Sequence, residues 1–497
     1  MEEIRAYKDK GDAFFNADKI TKAIKAYSKG LNLFDAASFN PTDDLIKLSV
    51  ELLCARGEAY LKAEDYDAAL ADGETATMRD EESHVGPYIC GRAYMGLQMY
   101  PEAREYLLDA AGLCHDRTEK RKILRISEDA GKHAGPLSGS SHFVNPYASA
   151  SVHPWWDEEG KTVCEVFEEH LASDEAFVVP DSYKGPRVSR PPKLEEIRAM
   201  VEYFRTTRQQ LHPRYAATIA LDAYKTFQDA PSLVDVPVKD GAHITVCGDI
   251  HGQFFDLLHI FDTNGYPSPS NPYLFNGDFV DRGSFSCEVI LTLFAFRALY
   301  PGALFMARGN HETESLTRTY GFSFEVTAKY SPAFDSLMTE IFCYLPLAHV
   351  LRNKVFVVHG GLSAEECEDG SLVPCSLDDI RREERRGQPP EDGSGIMNDL
   401  LWSDPQDREG KRPTRRRAGY FFGPDVTRGF LRKNKLSLVV RSHEVKMNGY
   451  EVQHNGLLVT LFSAPNYCDE YGNRGAYIKF TAPKMEPVYT TFDFTPH

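Results

Sequence analysis

The distribution of apolar and polar positions divides this chain into three stretches. The first opens with MEEIRAYKDKGDAFF, charged and helical, and its helical character runs on to DRTEKRKILRISEDAGK. From Gly135 to about Gly160 the text becomes GPLSGSSHFVNPYASASVHPWWDEEG, where Gly, Ser and Pro dominate and no helical period survives, which marks a linker. Tyr147, Trp155 and Trp156 are unusual in a free linker and are expected to dock on a neighbouring domain. From about residue 190, PPKLEEIRAMVEYFRTTRQQL predicts a helix, and short apolar runs of strand type follow it. The expected organisation is a helical domain over 1–134, a linker over 135–175 and a second domain over 176–497.

Within the helical stretch, Gly-x-x-aromatic recurs as Gly11/Phe14, Gly57/Tyr60 and Gly91/Tyr94. Twelve residues after each glycine stands Ala23, Ala69 or Ala103, and seven further on another small residue, Gly30, Ala76 or Ala110. This is the tetratricopeptide phase, in which small side chains let paired helices approach and the aromatic fills the gap between repeats. Gly57 and Gly91 are the standard 34 residues apart, but Gly11 and Gly57 are 46 apart. The surplus falls around FDAASFNPTDDL and predicts either a longer loop or extended helices. Three repeats and a capping helix make an α-solenoid, whose concave groove serves binding by default.

At 497 residues the chain exceeds one ordinary core. Its 42% hydrophobic and 26% charged residues are those of a globular protein. A net charge of -17 argues against nucleic acid as a partner, and it requires any phosphate site to be built from local cations. The start lacks the apolar core of a signal peptide, and no segment reaches the roughly 20 apolar residues of a membrane span. Ten scattered cysteines without a Cys-x-x-Cys pair suit a reducing compartment, cytoplasmic or nuclear. Cys367 and Cys375 are close enough in one loop to pair, although free thiols are the expectation.

The chemistry lies where the apolar runs stop. Ile244–Cys247 ends at Gly248-Asp249-Ile250-His251-Gly252, and Tyr273–Phe275 is followed by Asp278, Asp281 and Arg282. LFMARGNHE ends in Arg308, Asn310, His311 and Glu312, KVFVVHGGL in His359, and LSLVVRSHEV in His443. Five strand ends on one sheet edge can converge on one place. Asp249, His251, Asp278, Asn310, His359 and His443 are oxygen and nitrogen donors with no thiolate, which suits Mn, Fe or Zn over a structural zinc. Asp249 and His251, two apart on an extended segment, can serve one ion. Asp278 is placed to bridge, and Asn310, His359 and His443 can complete a second ion. Two cations about 3.5–4 Å apart would share a hydroxide and hold phosphoryl oxygens for in-line attack.

These segments resemble the phosphoprotein phosphatase family from roughly Pro180 to Phe494, through the GDxHG, GDxVDRG, RGNHE and HGG motifs and the LWSDP and SAPNYC segments. The resemblance implies a metallophosphoesterase β-sandwich flanked by helices, α/β in class, after the all-α repeat domain. It implies the same six metal ligands, two divalent ions with manganese first, and phosphoserine or phosphothreonine in proteins as substrate. Arg282 and Arg416 match the family's phosphate-binding arginines, Tyr467 its phosphate-facing tyrosine, and His311, with Asp281 behind it, the acid that protonates the leaving oxygen. Relatives that share only GDxHG and GNHE act on nucleotides or small phosphoesters, an alternative that SAPNYC, LWSDP and the repeats disfavour.

Among the departures from the family pattern, which include Ala307 where leucine is usual, two bear on the site. Arg417 stands where glycine is usual, so either Arg416 or Arg417 takes the phosphate. An acidic insertion, EECEDGSLVPC, follows Leu362 and is expected to be a solvated loop. In relatives that carry repeats, the repeat domain covers the site as an intramolecular inhibitor, and an acidic side chain meets a phosphate-binding arginine. Counting from Gly57 and Tyr60, that acid is Glu64 and its partner Arg282, although Glu64 beside Asp65 and Asp67 reads equally as one more exposed charge. Repeats that grip acidic chaperone tails use a clamp whose positions here are Lys8, Asp12, Ala55, Val85 and Ile89. Only the first cation remains, so no chaperone-tail binding of that kind is expected.

Overall fold

A computed structural model describes residues 2–37, 43–80, 83–97, 99–114, 116–133, 160–173, 177–367, 371–414, 416 and 418–496. The chain divides into two compact units, 1–142 and 143–497. Tyr147, Trp155 and Trp156 lie outside the described residues.

Among the described residues the first unit consists of helices joined by turns: α1 (Glu2–Asn16), α2 (Ile20–Ala37), α3 (Asp43–Lys62), α4 (Tyr66–Arg79), α5 (Val85–Gly96), α6 (Tyr100–Leu113) and α7 (Arg117–His133). Each helix packs on the next, and α3 also touches α1 and α5. The repeat residues explain how closely they approach. Ala23, Ala69 and Ala103 are completely buried. A methyl group on Gly11 would stand 2.2 Å from the Tyr27 ring, and one on Gly91 2.6 Å from Leu107. The surplus between the first two repeats is helix, because α2 and α3 run 18 and 20 residues where α4 to α6 have 12 to 14. One buried ion pair ties α3 to α4: Arg56 donates through Nε and a terminal nitrogen to the two Asp72 oxygens, at 2.8 and 2.6 Å. Such a bidentate fork satisfies a carboxylate that burial alone would push towards its neutral form.

The second unit begins earlier than expected. Residues 163–172, within the stretch read as linker, form α8 (Val163–Ala172). Thr162 and Glu165 close a capping box at its start. Its Cys164, Phe167 and Leu171 sink into the main core, and the Cys164 amide donates to the buried Glu340 carboxylate at 3.0 Å. The Gly- and Ser-rich composition stops near residue 160, and the apolar spacing after it makes a helix.

Beyond α8 come α9 (Leu194–Thr207) and α10 (Pro213–Gln228), then strands β1 (Leu233–Val236), β2 (His243–Cys247), β3 (Tyr273–Asn276) and β4 (Leu304–Ala307). Next are β5 (Ala348–Leu351), β6 (Val355–Val358), β7 (Ala364–Glu366) and β8 (Leu372–Pro374). The chain finishes with β9 (Asp404–Pro405), β10 (Lys411–Pro413), β11 (Tyr420–Phe422), β12 (Leu438–Arg441), β13 (Tyr450–Gln453), β14 (Leu458–Leu461), β15 (Gly475–Thr481) and β16 (Pro487–Phe492). One sheet has the order β1-β5-β6-β12-β14-β13 and the other β16-β15-β2-β3-β4. Side chains of both, among them Ile244, Leu274, Val357, Val440, Val459 and Ile478, share one buried cluster, so the sheets form a sandwich. Helices cover both outer faces. The acidic insertion is a short hairpin of β7 and β8, and all ten cysteines are free thiols, Cys367 exposed and Cys375 buried.

Candidate metal centre

The topology decides where the polar loops meet. β2, β3 and β4 are parallel neighbours in one sheet, and β6, β12 and β14 in the other. Parallel neighbours release their chains at the same edge, as in other sheets whose ligand sites lie at carboxyl ends. Asp249 and His251 follow β2, Asp278 to Arg282 follow β3, and Asn310 and His311 follow β4. His359 follows β6, His443 follows β12, and Tyr467 follows β14. His251, Asp278, Asp281, Arg282 and His443 all have positive φ, between 45° and 71°. Left-handed backbone in non-glycine residues costs free energy and persists only where surroundings over-determine it.

The predicted ligands come together, all of them buried. Asp278 Oδ2 stands 3.6 Å from His251 Nε2 and 3.3 Å from His359 Nε2. Asp249 Oδ2 lies 3.9 Å from His251 Nε2, and His443 Nδ1 3.2 Å from His359 Nε2. One atom of the Asn310 amide enters the cluster, 3.2 Å from both Asp278 oxygens, 2.8 Å from His359 Nε2 and 3.0 Å from His443 Nδ1. As oxygen it faces only lone pairs, the arrangement that a cation resolves.

The ring orientations suit cation ligands. His251 Nδ1 donates to the Val280 carbonyl and His359 Nδ1 to the Asn276 carbonyl, both at 2.9 Å, which leaves each Nε2 lone pair aimed inward. His443 Nε2 is buried without a hydrogen-bond partner. Burial raises Asp249, and the Asp278 charge adds to it, up to about 8, while burial drives His251 down to about 3. His359 is disfavoured as a cation by burial, but the Asp278 and Asp249 charges outweigh this and lift it to about 9. Protons here stand in for positive charge that two packed carboxylates require. The donor set therefore fits a pair of divalent cations.

Two carboxylates outside the candidate ligand set hold the site in shape. Glu312 accepts the amides of Asp278, Phe279 and Gly309 at 2.8, 2.8 and 2.9 Å. A side chain at Gly309 would collide with Asp278 Oδ1 at 2.2 Å, so the turn needs glycine. Asp404, in LWSDP, accepts from Arg416 Nε at 2.6 Å and from the fully buried Arg441 at 2.8 Å. A glutamate inside NHE and an aspartate inside SDP were the available signals, but their partners are backbone amides and a distant arginine.

The candidate phosphate groups surround this cluster. Arg282 lies 3.8 Å over the Tyr320 ring, and its buried Nε has no hydrogen-bond partner. Tyr467 is buried with its ring 5.0 Å from that of His251. Burial holds the Tyr467 phenol far above its ordinary value, and the Arg282 charge opposes that. His443 is depressed first by burial and then by the Arg416 charge. Arg417 lies outside the described residues. The His311 ring is 4.7 Å from His251, and its Nδ1 is 2.7 Å from Asp281 Oδ2. Asp281 Oδ1 in turn accepts the Phe322 amide at 2.9 Å. Glu64 belongs to the other unit, exposed in the turn after α3 with φ of 59°.

Comparisons with known proteins agree with this geometry. A family model described as calcineurin-like phosphoesterase matches residues 242–447, and one described as the PPP5 TPR repeat region matches 158–235, from just before α8 to β1. Serine/threonine-protein phosphatase 5 of Arabidopsis thaliana is 53% identical over 64% of this chain and 58% of its own length. The human protein of that name is 39% identical over 99% of this chain and 90% of its own. A solved Saccharomyces cerevisiae serine/threonine phosphatase, titled as similar to human phosphatase PP5, has a TM-score of 0.58 at 38% identity, over 61% of this chain and 97% of its own. The alignments with the first two plant relatives thus span a little over half of those proteins. With 39% identity to the human relative over nearly the full length of both chains, and the metallophosphoesterase sandwich behind a tetratricopeptide array, this chain belongs to the serine/threonine-protein phosphatase 5 family.

Proposed function

We propose that the chain hydrolyses phosphoserine and phosphothreonine esters of proteins. The observation that carries this reading is Asp278 Oδ2 standing between His251 Nε2 and His359 Nε2, at 3.6 and 3.3 Å, with the other donors on either side. Asp249, His251 and Asp278 would hold one divalent cation, and Asp278, Asn310, His359 and His443 the other. Manganese, iron or zinc suits these oxygen and nitrogen donors, manganese first. When bound, such a pair supplies the charge that polarises the phosphoryl group and acidifies the attacking water.

The chain's own residues do the rest. Arg282 and Arg416 bind the non-bridging oxygens, where the transferred group carries its charge, and Tyr467 borders the same pocket. Asp404 presents Arg416, so the guanidinium loses little freedom when phosphate arrives. Asp281 holds His311 by Nδ1, which leaves Nε2 to carry a proton to the departing serine or threonine oxygen. The repeat array acts as the intramolecular restraint, with Glu64 as its acidic contact and Arg282 as the natural target. Free thiols throughout support a cytoplasmic or nuclear address, and no described helix is long and apolar enough to cross a membrane.

The test is turnover by the full chain with manganese, comparing a phosphothreonine peptide with a dinucleotide polyphosphate. Hydrolysis of the peptide alone is the expected result. Preference for the dinucleotide would move the reading to small phosphoesters.

A further inference from the structure

A second donor cluster lies in the helical unit and shares no residue with the phosphatase chemistry. His84 caps the start of α5, Cys114 caps the end of α6, and Glu119 lies in the first turn of α7. One imidazole nitrogen, one thiol sulfur and one carboxylate oxygen from these residues all lie within 4.8 Å of one another. Three different helix ends thus deliver three different ligand types to one point.

The local contacts mark the point as a place for a cation. His84 Nε2 is 3.3 Å from Glu119 Oε2, yet that nitrogen is buried and makes no hydrogen bond. The two atoms approach without the geometry by which one would donate to the other. Cys114 is buried, and among the described residues its thiol reaches the Asp116 carbonyl alone, at 3.6 Å, a weak partner. Asp116 Oδ1 is already engaged, since it accepts the Thr118 and Glu119 amides at 2.9 and 2.8 Å. That cap fixes the turn from which Glu119 projects. The site borders the small core of Leu107, Ala110, Ala111, Cys114 and Ile123, so its walls are already packed.

We propose that His84, Cys114 and Glu119 bind a divalent cation of the zinc class, which links the last repeat to the capping helix. Nitrogen, sulfur and oxygen together select a borderline-soft ion, and three protein ligands leave a fourth position for water. Ligand bonds of about 2.0–2.3 Å in a tetrahedral site set donors roughly 3.3–3.6 Å apart, so separations of up to 4.8 Å close by at most about 1.5 Å. On binding, the Cys114 thiol gives up its proton to solvent as the sulfur–metal bond forms. The array gains a staple across α5, α6 and α7, where a short core otherwise holds the capping helix.

Cobalt(II) separates this site from the catalytic one, because the dinuclear donor set contains no thiolate. The full chain, loaded with manganese, is titrated with cobalt(II) and followed in the near ultraviolet for the thiolate-to-cobalt band. The expected result is a band that saturates at one equivalent, is absent in Cys114→Ser, and persists in Asp278→Asn. His84→Ala and the exposed Glu119→Gln should raise the dissociation constant by at least about tenfold, leaving phosphopeptide turnover unchanged. The melting temperature of the wild type should rise with zinc and that of Cys114→Ser should not. Glu119→Gln removes one ligand from the surface and so keeps the test valid should a core variant misfold. No band, or the same band and affinity in Cys114→Ser and Glu119→Gln as in the wild type, would overturn the proposal.

Discussion

Glu312 Oε2 accepts the amide of Asp278 at 2.8 Å, and through that bond a residue outside the ligand set governs the aspartate between both halves of it. Its other oxygen takes the Phe279 amide, so one carboxylate shapes the whole turn after β3. In Glu312→Gln an amide NH₂ must face one of these N–H donors, costing about 1–3 kcal/mol. Manganese affinity should fall roughly 10–100-fold with the fold retained. Metal content after gel filtration, read beside the melting curve, checks this. A variant with full affinity would show that Glu312 only fills space.

Asp278 is expected to matter more than any other ligand, since its Oδ2 stands between the inward nitrogens of His251 and His359. Asp278→Asn should lose both ions or nearly all turnover, with its circular dichroism unchanged. Full occupancy and near-normal rate in that variant would rule out a bridging carboxylate.

His311 is expected to act on the leaving group. His311→Asn should keep both ions and lose rate on a phosphothreonine peptide by roughly 10²–10⁴-fold. On an aryl phosphate, whose leaving group needs little protonation, the loss should be smaller. Equal losses on both substrates would assign His311 another task, such as holding the attacking water.

The groove of the repeat array is expected to refuse acidic chaperone tails. Lys8, the one clamp cation left, is already paired with Asp12 at 3.0 Å, and Asp12 also accepts the Tyr27 hydroxyl at 2.8 Å. Ile89, at another clamp position, is fully buried. Calorimetry with a C-terminal EEVD peptide should show no heat of binding. Micromolar binding lost in Lys8→Ala would reverse this reading.

Glu64 is expected to restrain catalysis by neutralising a phosphate-binding guanidinium, as a substrate phosphate would. Basal phosphopeptide turnover is compared for the full chain, for Glu64→Ala and for a chain shortened to start near Gly160, which keeps α8. Both changes should raise the rate. Three equal rates would make the array a tether.

What the sequence determined by itself was whatever a local pattern can carry. Three glycine–aromatic–alanine triplets in phase require closely paired helices, because Gly11 and Gly91 have no room for a side chain. Apolar runs that stop at Asp, Asn or His named all six candidate ligands, since strand ends and their polar loops are written in consecutive residues. Local text was ambiguous where composition changes gradually: the surplus near Phe34 became helix, and residues 163–172 left the linker for a core helix. Tertiary structure alone decided that β2, β3 and β4 and, in the other sheet, β6, β12 and β14 open onto one place, because strand order is a pairing between distant segments. It also gave Glu312 and Asp404 their work. A buried carboxylate does what its neighbours require, and those neighbours, the Asp278 amide and Arg416 among them, come together only when the sheets close.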